Sequence, residues 1–78
     1  MHVTVKLYGT LRRLSLKETP GVWQGEIPAG ASILELLSIL GTVEAEVAAA
    51  AINKEPAPLT AIIPEAAVVT LVTPVNGG

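Results

Sequence analysis

Residues 32–41, SILELLSILG, decide the fold. Ser32 followed by Glu35 fits a capping box: the hydroxyl accepts from a free N–H of the first turn, and the carboxylate reaches back to the cap. Ile33, Leu36, Leu37 and Leu40 recur at helical spacing and form one apolar stripe. Gly41 is a good C-terminal stop. The spacing predicts a helix over residues 32–40. Such a helix is too short to persist alone in water, so its stripe must pack on something apolar.

The flanking segments supply that surface. In HVTVKLY (2–8), Val3, Val5 and Leu7 alternate with Thr4 and Lys6, the period-two pattern of a half-buried strand. Gly9 ends it. Residues 9–20 carry charge and close on Pro20-Gly21, a turn signal. Residues 22–27 read as a second strand, with Trp23 and Ile27 on one face and Gln24 and Glu26 on the other. Pro28-Ala29-Gly30 breaks it.

Beyond the helix, residues 42–46 are polar and irregular. Residues 47–52, VAAAAI, read as a short buried strand, although alanine propensity alone would equally permit a helix. Pro56 and Pro58 confine the next stretch to an edge strand or loop. Leu59, Ile62 and Ile63 are expected to close the core, and residues 68–73 form a strong last strand. A striped helix needs an apolar sheet face to cover it. The expectation is an α+β fold, one mixed sheet of four to five strands packed on one main helix. No repeat, linker or second domain interrupts residues 1–78.

Composition narrows the chemistry. The chain has 78 residues, half of them hydrophobic, and a net charge of −2. It holds no Cys, no Phe and no Asp, so thiolate chemistry and disulfides are excluded. His2 alone cannot build a metal site. The basic residues Lys6, Arg12, Arg13, Lys17 and Lys54 are too few, with too little aromatic interleaving, for a nucleic-acid surface. No apolar run approaches the roughly 20 residues of a membrane span. The expected setting is the cytoplasm. Arg12-Arg13 reads as a solvated loop, Trp23 as core or edge packing, and Tyr8 as a sheet residue with a wet hydroxyl.

The chain ends on Gly77-Gly78 directly after the last strand. A frayed small-residue end is the simplest interpretation. Yet glycine has no Cβ, so such a tail can enter a narrow cleft and bring its carboxylate close to a reacting group. The interior offers no competing site: no phosphate loop of the G-x-x-x-x-G-K type and no Ser/His/Asp set. Residues 74–78 are expected to form a flexible tail.

Three stretches carry a family resemblance. VKLYGTLRR (5–13) resembles the first strand and loop of the MoaD/ThiS sulfur carriers, AAAAINKEP (48–56) their third strand and turn, and VTLVTPVNGG (69–78) their last strand and tail. The Pro-Val-x-Gly-Gly end resembles that of the molybdopterin synthase small subunit more than that of the thiamine carrier. Departures are Pro64-Glu65-Ala66-Ala67, where the family has an acidic turn with glycine, Gly9 where Phe is frequent, and Thr73 where a second Pro is common.

The resemblance implies a ubiquitin-like β-grasp fold and a carrier rather than an enzyme. An adenylating enzyme of the ubiquitin-activating type, using ATP, would activate Gly78, and sulfur would replace a carboxylate oxygen to give a thiocarboxylate. Gly77 and Gly78 are then the reacting end. Thr73, Pro74, Val75 and Asn76 are the stretch that meets the partners: the activating enzyme, and the molybdopterin synthase large subunit or another sulfur acceptor. No bound cofactor or metal is implied. Sulfur delivery to thiamine or another pathway, a protein modifier joined to lysine through Gly78, and an interaction domain with an inert tail are the alternatives.

Overall fold

The computed structural model describes residues 1–74. The elements are β1 (His2–Leu7), β2 (Val22–Glu26), α1 (Ile33–Leu40), β3 (Ala49–Ile52), β4 (Glu55–Ala57) and β5 (Val68–Val72). Single 3-10 segments, Gly9–Leu14 and Glu44–Glu46, sit in the loops after β1 and after α1. The five strands form one mixed sheet in the order β2-β1-β5-β3-β4. β1 and β5 run parallel at its centre, with Leu7 beside Leu71, and every other pairing is antiparallel.

One face of the sheet is sealed by α1. Val3, Val5 and Leu7 of β1, Val69 and Leu71 of β5 and Ala50 of β3 are buried in one cluster with Ile33, Leu36 and Leu37. Each large aliphatic side chain so buried is worth about 1.5–3 kcal/mol. Leu40, the fourth residue of the stripe, is only half-buried at the end of the helix, packed against the cluster's rim.

The start of α1 accounts for its free backbone donors. Ser32 Oγ accepts from the Glu35 N–H, and the Glu35 carboxylate accepts from the Ser32 N–H. The Ile33 and Leu34 N–H groups donate to Ala61 and Leu59 carbonyls, so the loop before β5 completes the cap. Gly41 ends the helix in the left-handed conformation, φ 87°.

The structure departs from the sequence expectation at strand ends and in loops: β2 stops at Glu26 and β5 at Val72, each one residue short. Residues 9–14, which include the Arg12-Arg13 pair read as a solvated loop, are a 3-10 segment anchored by the fully buried Leu11. Residues 44–46 likewise make one 3-10 turn. The β3 strand starts at Ala49, with Val47 already buried just before it. Ile62 does not close the core: it is 60% exposed. It stands opposite Ser32 in an extended stretch, where successive side chains point to opposite sides, and Ile63 takes the inward place.

The β3–β4 hairpin turns on Asn53 and Lys54, both with positive φ (50° and 71°), which suits a two-residue hairpin loop. Asn53 Oδ1 accepts from the Val68 N–H at 3.0 Å, and the Asn53 N–H donates to the Val68 carbonyl at 2.8 Å. The turn is thereby fastened to the start of β5.

Candidate functional site

Because β1 and β5 are parallel, both strands leave the sheet at the same end, and the loop after β1 meets the chain after β5 there. The Tyr8 N–H donates to the Leu71 carbonyl at 3.1 Å, extending the pairing by one step. Gly9 then turns the chain with φ 63°. Thr73 is half-buried and lies directly against Gly9: a Cβ built on Gly9 would fall 3.1 Å from Thr73 Cβ, 3.3 Å from its Cγ2 and within overlap of its Oγ1. Pro74 is exposed. Of the residues singled out from sequence, Thr73 and Pro74 are placed here. Val75, Asn76, Gly77 and Gly78 lie outside the described residues.

The loop that carries Gly9 is held from its other side. Arg13 donates to the Thr10 carbonyl and to Glu46 Oε1 (2.7 Å). The hydroxyl of Thr42, a buried polar residue, donates to the same carboxylate oxygen. The Arg13 hydrogen bond, and after it that of Thr42, holds the Glu46 carboxyl below the ordinary glutamate value. Arg13 is thus exposed but paired, and Arg12 makes no ion pair among the described residues. Nothing in the sequence signalled the Arg13–Glu46 pair or the Gly9–Thr73 contact, since both join residues far apart in the chain.

The remaining candidates lie elsewhere. Near the start of β1, at the opposite end of the sheet from Thr73, His2 pairs with Glu26 at 3.1 Å. Trp23 lies on the edge strand β2, half-buried, with its ring over Gly25. Tyr8 is half exposed. On the sheet face away from α1, Lys6, Asn53, Lys54, Val68 and Thr70 line a shallow groove of about 240 Å³. Among the described residues no three His, Cys, Asp or Glu gather as metal ligands, and no helix is long and apolar enough to cross a membrane.

Comparison with solved structures gives the same fold at low identity. The chain is similar to SAMP1 from Haloferax volcanii, a small archaeal modifier protein, with 17% identity, complete coverage of both chains and a TM-score of 0.71. It is also similar to a Pyrococcus furiosus protein described as a putative molybdopterin converting factor, subunit 1. There the identity is 20%, the coverage 95% of this chain and 98% of that one, and the TM-score 0.68. The fold is the ubiquitin-like β-grasp. No curated protein matches the chain significantly. The model of the ThiS family matches residues 5–78, from the middle of β1 through the terminal glycines, and the chain therefore belongs to the ThiS family.

Proposed function

We propose that this protein is a sulfur carrier whose Gly78 carboxylate is adenylated and then converted to a thiocarboxylate, and that it delivers this sulfur in molybdopterin formation as the small subunit of the synthase. A family match that runs through Gly78 carries the proposal, together with a chain that leaves β5 at Val72 and is exposed at Pro74. Family membership supports partnership with an activating enzyme and a sulfur acceptor. The Pro-Val-Asn-Gly-Gly ending and the fold shared with a molybdopterin converting factor subunit favour this pathway over thiamine.

A free carboxylate resists attack because its charge repels nucleophiles and oxide is a poor leaving group. Reaction with ATP gives an acyl adenylate and releases pyrophosphate. Hydrosulfide then attacks the carbonyl carbon, a C–S bond forms as the C–O bond to AMP breaks, and the thiocarboxylate, AMP and a proton result. The carrier contributes reach and placement. Residues 74–78 span roughly 15–18 Å when extended. Pro74 stiffens the base with its fixed φ. Gly77 and Gly78 carry no side chain to obstruct a narrow cleft.

The test is transfer. Protein loaded with sulfur is mixed with a molybdopterin synthase large subunit and its precursor, or with a thiamine-forming acceptor, and product is measured. Molybdopterin formation supports the proposal, and transfer only to the thiamine-forming acceptor contradicts the pathway. The fold shared with a modifier protein favours one second reading, attachment of Gly78 to lysines. Gly78-dependent conjugates of higher mass in cell lysate would select it.

A further inference from the structure

We propose that Gly9 is a positioning residue for the reacting end: its bare Cα is the seat on which Thr73 rests, and this seat sets the direction in which residues 74–78 leave the domain. The proposal builds on the carrier function assigned above to Gly78. Three observations meet at this point. Gly9 has φ 63°, and the space its Cβ would take is filled by Thr73 Oγ1, Cβ and Cγ2. Gly9 opens the 3-10 segment that Leu11 anchors in the core and Arg13 ties to Glu46, so the seat is fastened to the domain. Thr73 follows directly on β5, whose Leu71 and Val72 are fixed in the sheet.

Thr73 cannot easily yield to a larger neighbour. It is β-branched and stiff at χ1. Its Cβ, which side-chain rotation leaves in place, would itself be 3.1 Å from the new atom. With Oγ1 and Cγ2 in the way as well, one side of the contact has to give, and because Leu11 and Arg13 fasten the residue 9 loop the shift falls on residue 73. Because the next residue is Pro74, Thr73 is restricted to extended conformations and residue 74 has a fixed φ. The pair acts as a stiff lever, and the shift passes into the tail. Held extended in a cleft, residues 75–78 reach about 13–14 Å. A tilt of about 10° at the base moves such an end by roughly 2 Å, and a misplacement of about 1 Å can cost about 100-fold in rate.

The experiment compares wild type, Gly9→Ala, Thr73→Gly and the double variant Gly9→Ala/Thr73→Ala. Each is incubated with the adenylating enzyme, ATP and a sulfur source, and loading is followed by intact mass at varied carrier concentration. Nuclear Overhauser contacts between the Gly9 α protons and the Thr73 methyl are recorded in the free wild type, and thermal unfolding in all four. The wild type is expected to show the contact. Gly9→Ala is expected to lower kcat for loading about 10–100-fold with KM within about twofold, the signature of altered placement rather than altered docking. Thr73→Gly, on an unaltered loop, should also lose kcat. In the double variant the Oγ1 and Cγ2 contacts are gone and only the 3.1 Å Cβ contact remains, so loading should recover in part, above that of Gly9→Ala. The lower melting temperature caused by Gly9→Ala should remain, because the substituted position still holds a positive φ. That split separates placement from stability.

A double variant as slow as Gly9→Ala, or a Thr73→Gly protein that loads like wild type, overturns the proposal. So does the absence of the Gly9–Thr73 contact, whatever the loading. A wild type that shows the contact and never gains sulfur overturns the carrier function instead, and with it any role of the seat in loading.

Discussion

Ala66 holds a left-handed backbone, φ 59°, in the turn before β5. An L-residue there costs roughly 1–2 kcal/mol, because Cβ crowds the following carbonyl. Ala66→Gly removes that crowding but adds freedom to the unfolded chain. The net expectation is a gain of up to about 1 kcal/mol in denaturant unfolding, and a loss of stability would show that the turn tolerates Cβ without strain. The sequence displayed a turn without glycine at residues 64–67, yet it could not show that Ala66 takes a left-handed backbone. Ile62 is a similar case. Its hydrophobicity suggested the core, while the facing of its side chain depended on how residues 61–63 bridge to the start of α1, which composition does not encode.

At the scale of elements, α1 was legible: the capping box, the glycine stop and three of the four stripe residues stand where the residues implied, with Leu40 half-buried at the helix end. Leu37 is 2% exposed, and Leu37→Ala is expected to cost about 2–5 kcal/mol. Ser32→Ala, which removes one cap acceptor, should cost about 1 kcal/mol. Calorimetry on the two variants checks both, and a Leu37→Ala protein as stable as wild type would contradict the packing of the helix on the sheet.

The 3-10 segments were not legible, because six and three residues are too few for a periodic pattern and one buried Leu11 sets the first. Their link predicts a pH dependence. The Glu46 carboxyl titrates lower in the folded protein than the ordinary value of about 4.3, so its stabilisation is complete above that value and is lost as pH falls through the folded one. Arg13→Ala should therefore be less stable than wild type at neutral pH, with the gap closing below about pH 4. An equal gap at neutral pH and about one unit below that point, read in denaturant titrations, would contradict the pairing.

Across the whole molecule, the central parallel pair of β1 and β5 governs what the fold can do. It brings the loop after β1 and the chain after β5 to one end of the sheet, where Gly9, Thr73 and Pro74 meet. The strands, the helix and the tail motif were readable as separate signals, and so was the fold class. The meeting of Gly9 with Thr73 was not, since it depends on strand order. The functional claim concentrates on Gly78, a residue with no side chain to bury. Deleting it should change stability by less than about 0.5 kcal/mol. The most direct measurement is intact mass after incubation with the adenylating enzyme, ATP and a sulfur source, for the wild type and for the protein lacking Gly78. Gain of the oxygen-to-sulfur mass difference in the wild type and none in the truncated protein is the predicted result; equal sulfur loading of the two would contradict it.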